Sequence, residues 1–171
     1  MLLPLKNTVK LTSSDFIETF SIEMWSDKNI YLLNESRKNT IPDYFYVTAY
    51  LLQFETEFEM SGLTTLLSNS STYNFENTLI SFREIGSTKS AKCLEGILNT
   101  LQKYDLTPIK MREWFLNHAE GLSEYSIIKM GQAFKGDDLL DELGVYDNEL
   151  SDICSEIRTD LEEYLIKIRG Q

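Results

Sequence analysis

His118-Ala119-Glu120 is the arrangement in this chain nearest to hydrolytic chemistry, because a His-x-Glu pair can hold and work a zinc-activated water once a later Pro-Cys-x-x-Cys completes the ligand set. That second half is missing. His118 is the only histidine, and the two cysteines, Cys93 and Cys154, are far apart with no companion spacing. A zinc site would therefore have to draw on carboxylates. The simpler reading of His118 is a polar residue in the last turn of a helix, where an imidazole interacts well with the negative end of the helix dipole. No serine sits in a Gly-x-Ser-x-Gly turn and no glycine-rich phosphate loop is present. No cofactor is expected.

Carboxylates offer two further possibilities. Glu55 and Glu59 share a helix face, with Glu57 between them, and like charges there would raise one pKa as in a paired-carboxylate site. With His118 they would make a carboxylate- or metal-dependent hydrolase. The alternative is a solvated helix end, or acceptors for a few backbone amides. Asp137, Asp138, Asp141 and Glu142 have the charge for calcium but lack the loop of alternating acids around a central glycine.

The acids that do form a pattern are C-terminal. Of the 27 acidic residues, 11 lie between Gly136 and Glu163, where Arg158 is the only base, so this segment holds −10 of the formal −11. Within it Leu150, Ile153, Ile157, Leu161, Tyr164 and Ile168 recur at helix-face spacing, while Glu149, Asp152, Glu156, Asp160 and Glu163 form a second stripe one position earlier. The first stripe is expected to pack and the second to face water. Acids about 3.5 residues apart stand roughly 5 Å apart along a helix, the same order as the ~3.4 Å axial spacing of charges on one DNA strand. Such a surface could occupy a groove lined with Lys and Arg. Helical proteins also carry acids purely for solubility, and the stripe would then lie beside the segment 87–135 of the same molecule, which holds seven bases against five acids.

These residues must be positioned by helices, since no segment alternates with a two-residue period between hairpin turns. Thr12 and Asp15 open a helix to about Trp25, and a weaker one covers 29–38. Pro42 opens a run from Asp43 to Met60 that Gly62 can end; from Tyr44 to Phe54 it is apolar on nearly every side and should be the buried centre. A short turn at Leu63–Leu67 leads to the polar loop Ser68–Ser71. Helices then follow over Tyr73–Ile85, closed by Gly86; from Ser87 or Ser90 to Tyr104; from Thr107-Pro108 to Ala119; and from Ser123 to Gly136. The acidic part is expected as a short helix at Asp138–Leu143 and a long one at Asp147–Ile168. The fold class is all-α: one domain over 1–171 of about seven to nine helices, with a core at about 41–135 and an acidic helical segment at 136–171.

Composition agrees with a folded chain, at 42% hydrophobic and 12% aromatic residues. The start lacks a basic leader, and no run approaches the ~18 apolar residues of a membrane helix, so a cytoplasmic location is expected. A pI near 4.5 argues against direct binding to nucleic acid or an anionic membrane, and for basic partners. The two thiols read as ordinary buried cysteines.

From Tyr50 to about Leu98 the chain resembles an uncharacterised bacterial helical domain family that includes an acidic DNA-mimic protein. The resemblance lies in Phe54-Glu55-Thr56-Glu57-Phe58-Glu59-Met60-Ser61-Gly62-Leu63, in Leu66-Leu67-Ser68-Asn69-Ser70-Ser71, and in Ser81-Phe82-Arg83-Glu84-Ile85-Gly86-Ser87. Gly62, Asn69, Ile85 and Gly86 fall on the family pattern in order and spacing. Glu59-Met60-Ser61 replace its Asn-Asn-Gly, and Leu66-Leu67 replace aromatics. The resemblance implies an all-α fold, dimerisation and no known catalytic activity, with one member acting by occupying the DNA-binding surface of a regulator. The expected function is a non-enzymatic acidic protein that binds a basic protein, either a DNA-binding regulator or, as an immunity-type variant, a nuclease. The expected binding residues are Glu149, Asp152, Glu156, Asp160 and Glu163, helped by Asp137, Asp138, Asp141 and Glu142.

Overall fold

The computed structural model describes residues 11–25, 33, 41–118 and 137–169. These form six α-helices and one 3-10 turn: α1 (Ser13–Glu23), α2 (Asp43–Ser68), the turn (Ser70–Asn74), α3 (Phe75–Ile85), α4 (Thr88–Lys103), α5 (Pro108–His118) and α6 (Asp137–Arg169), with no strand among the described residues. The all-α expectation holds. Of the helix expected over 29–38 only Leu33 is described, helical and buried, and the helix expected over 123–136 lies outside the described residues.

Helix ends follow local chemistry. Thr12 Oγ1 accepts from the Asp15 amide at 3.2 Å and donates to the Asp15 carboxylate at 2.7 Å, which satisfies an amide that the first turn of α1 cannot pair internally. Gly86 closes α3 in the left-handed conformation, with φ 83. Ser87 precedes α4 and shares a 2.7 Å hydroxyl contact with Ser90. Thr107 Oγ1 accepts from the Lys110 amide at 3.1 Å, ahead of Pro108 at the first position of α5.

α2 is the centre, as its apolar girth requires: every residue from Phe45 to Glu55 is buried. α1, α3, α5, α6 and the 3-10 turn all pack on it. Phe45 meets Phe16 edge-on at 5.4 Å, and Phe54 meets Phe82 edge-on at 5.4 Å. Helix α6 packs on α2 and α4 through Leu139, Leu143, Leu150, Ile153, Ile157, Leu161 and Leu165. Each of those burials contributes roughly 2 kcal/mol relative to exposure. Toward the end of α6 the stripe departs from expectation, because Tyr164 is only half-buried, Ile168 is exposed and Leu165 packs instead. A straight helix drifts relative to a 3.5-residue repeat, so the packed position moves by one after several turns.

Two glycines behave differently from the sequence expectation. Gly62 turns to φ 72, but the helix resumes and runs to Ser68, because the Leu63 amide exposed by the break is capped by Asp147 Oδ1 at 2.9 Å. Gly144 does not divide the acidic segment, and α6 is one helix of 33 residues. A mid-helix glycine costs about 1 kcal/mol, which the burial of Leu143 and Leu150 on either side offsets.

Candidate acidic binding surface

The chain places α6 in a groove between α2 and α4, and polar contacts fix its rotation from both sides. On the α2 flank, Arg158 Nε lies 2.8 and 3.0 Å from the two Glu55 carboxylate oxygens, with a second nitrogen at 2.8 Å. Three turns earlier on the same flank, Asp147 caps Leu63. On the α4 flank, Glu142 accepts from Lys103 and from the Tyr104 hydroxyl at 3.1 Å, Glu149 stands against the Cys93 thiol, and Glu156 pairs with Lys89 at 4.0 Å. Beyond them Tyr164 donates to Glu84 of α3 at 2.6 Å. At the end of α6 the Arg169 guanidinium donates to the Leu11 carbonyl at 2.7 Å and lies over the Phe16 ring.

With both flanks engaged, the side of α6 turned to water is determined. Asp138, Asp141, Asp152 and Glu163 are exposed there, and Asp160 is half-exposed; none of the five has an ion-pair partner among the described residues. Glu142, Glu149 and Glu156 form the edge of the same row toward α4, where two of them meet lysines. Asp137 begins α6, but its side chain lies outside the described residues. Eight of the nine acids expected to bind therefore fall into an outward group and a group toward α4, and the ninth, Asp137, lies outside the described side chains. Val145, exposed between Glu142 and Glu149, is the one apolar residue in the row.

The electrostatics follow from these contacts. The Lys103 hydrogen bond holds the Glu142 carboxyl below its usual range, and the same bond raises the Lys103 ammonium. Burial, reinforced by Glu142, raises the Tyr104 hydroxyl. Cys93 and Cys154 are both buried free thiols pushed up to about 12, first by burial and then by nearby carboxylates, Glu149 for Cys93 and Glu55 for Cys154. They are packing residues at the α4–α6 and α2–α6 contacts.

The Glu55, Glu57 and Glu59 group is not the solvated helix end that its polarity suggested. Glu55 is 2% exposed and Glu57 4%, and only Glu59 faces water. A buried carboxylate needs partners. Glu55 has Arg158. Glu57 accepts from the Ser71 amide at 2.9 Å, Ser70 Oγ at 3.0 Å and Gln53 at 3.1 Å, which ties the 3-10 turn to α2; the amide-acceptor alternative is correct for this residue. Burial raises the Glu55 carboxyl, the Arg158 contacts lower it, and Glu59 raises it least, so the net shift is upward. Locked to a guanidinium, Glu55 is not available as a catalytic base. Helix α5 ends at His118, whose side chain lies outside the described residues. Among the described residues no group of three His, Cys, Asp or Glu side chains could hold a metal ion, and no helix is long and apolar enough to cross a membrane.

The alternative that places the stripe beside the segment 87–135 holds for Glu156 and Glu142, which meet Lys89 and Lys103, although the sequence did not single out these two lysines. The excess of bases in 87–135 was the available signal, but pairing across helices depends on how α4 and α6 cross. That crossing is close: a Cβ on Gly96 would lie 2.5 Å from the Tyr146 ring.

Residues 39–169 match the model of a family described as DMP19-like protein. No curated protein and no solved structure matches the chain.

Proposed function

Since the chain belongs to the DMP19-like protein family, the family whose residue pattern it resembles and which includes an acidic DNA mimic, we propose that it is a non-enzymatic acidic protein whose α6 face takes the place of DNA on a basic protein. One observation carries this reading: the outward acids stand on a single rigid helix whose only base before Lys167, Arg158, is turned to the buried Glu55. From Asp138 to Glu163 the row spans about 37 Å at ~1.5 Å per residue, close to one turn of duplex at about 34–36 Å. A helix held on both flanks presents its charges without further ordering cost, which favours affinity over an equally acidic but mobile tail. The partner's chemistry follows from the face: an extended cationic surface built to take a phosphate backbone, as in a DNA-binding regulator. One domain over 1–171, dimerisation and a cytoplasmic location belong to the same proposal.

The test is competition. Basic proteins retained on the immobilised chain at low salt should elute with duplex DNA and with rising salt, because screening at physiological strength already falls off over about 8 Å. The triple variant Asp141→Lys, Asp152→Lys, Glu163→Lys should retain none of them. Retention that resists duplex DNA, or that survives the triple reversal, would refute the mimic reading.

A further inference from the structure

The row of acids on α6 is not uniformly available. Lys103 reaches across from α4 to Glu142, which also accepts from Tyr104, and Lys89 reaches Glu156. Lys92, exposed on the same helix, pairs with no acid among the described residues. Both paired lysines are more than half exposed, at 62% for Lys103 and 59% for Lys89, so neither is needed to fill the core. Their partners Glu156 and Glu142 lie about four turns apart along α6, so the two lysines, near opposite ends of α4, bracket Glu149.

We propose that Lys89 and Lys103 are specificity-determining counterions of the acidic face: they hold Glu156 and Glu142 within the molecule, so that a cationic partner reaches the full row only by displacing them. This rests on the acidic-face reading above. The physical basis is competition for the same carboxylate. An ammonium on a flexible stem is a point charge that leaves an exposed acid readily. A partner's guanidinium can take both oxygens of that acid in a fork, so arginine-rich surfaces displace the lysines best. Until displaced, each lysine also repels an approaching cation, which slows association at low salt. A surface that met only Asp138, Asp141, Asp152, Asp160 and Glu163 would bind the outward group alone.

The experiment uses the full chain and a labelled short oligoarginine peptide as the probe, followed by fluorescence anisotropy. Lys89→Gln with Lys103→Gln should bind the peptide about fivefold more tightly at low ionic strength, and the gain should vanish at high salt. Gln matches Lys closely in helix propensity, so folding is preserved. Lys92→Gln removes the same charge from the same helix without freeing an acid, and should change binding less than twofold. Equal gains per charge for Lys89, Lys92 and Lys103, or no gain for the double variant, would overturn the proposal while leaving the acidic face intact. If the triple reversal of Asp141, Asp152 and Glu163 leaves peptide binding unchanged, the face reading falls, and this inference with it.

Discussion

The contact between Glu55 and Arg158 makes a prediction that is sharp because its two halves are unequal. Glu55 is 2% exposed, whereas the Arg158 side chain is 48% exposed. Removing one partner therefore has different consequences depending on which is removed. In Arg158→Ala, a buried carboxylate loses the one cation it pairs with among the described residues; the cost for a wholly buried pair is about 3–5 kcal/mol, and because the guanidinium side is half in water, about 2 kcal/mol is expected here at neutral pH. In Glu55→Gln, the freed guanidinium turns to solvent and the buried side chain becomes neutral, so less than about 1 kcal/mol is expected. The pH dependence has a definite sign. Burial raises the Glu55 carboxyl in the folded state, so its favourable contribution is fully present below the unfolded carboxyl pKa and is lost as pH rises through the folded value. Loss of Arg158 removes the influences that lower that carboxyl, so the deficit of Arg158→Ala should be smallest in mild acid and grow toward neutrality. The assay is urea denaturation of the wild type and both variants at pH 7 and near pH 5, compared as differences from the wild type at each pH, since other carboxylates titrate in all three. Equal losses for the two variants, or an Arg158→Ala deficit that does not shrink in acid, would refute the argument.

Two further outcomes follow from the packing. Gly62→Ala should destabilise by about 2 kcal/mol or more, from the left-handed φ together with a Cβ that would stand 2.9 Å from Asp147 Oδ1; Asp147→Ala should cost about 1 kcal/mol as a lost cap, and the double variant should cost less than the sum because removing Asp147 clears the collision, which a thermodynamic cycle by urea melts would measure. Cys93 and Cys154, pushed up to about 12 chiefly by burial, should stay unlabelled by a thiol-specific disulfide reagent near pH 8 in the folded protein and both react on unfolding; rapid labelling of the native chain would contradict their buried placement.

How much of this was legible in the sequence varies with the range of the interaction. Capping at Thr12, the Gly86 stop, the Thr107-Pro108 start and the buried girth from Tyr44 to Phe54 were all readable, because each depends on residues within a few positions of one another. Gly62 and Gly144 show where local reading fails. As isolated signals both say stop, yet α2 continues because Asp147, distant in sequence, caps Leu63, and α6 continues because Leu143 before Gly144 and Leu150 beyond it are buried. Glu55 and Glu57 illustrate the same limit for charge, since acids at the end of an apolar run look solvated until Arg158 and Ser71 arrive from elsewhere in the chain.

The sequence alone determined that this chain is all-α, that its charge is gathered in one C-terminal segment, and that an apolar and an acidic stripe run side by side there, because periodicity and composition are properties of order along the chain. Only the tertiary structure decided which acids look outward. That outcome depends on the rotation of α6 between α2 and α4, set by its buried leucine and isoleucine face together with Arg158 on Glu55 and Asp147 on Leu63. Pairing energies fall steeply with separation, so which charges are neutralised within the molecule and which are left for a partner is fixed by distances between helices, and those do not exist until the chain has folded.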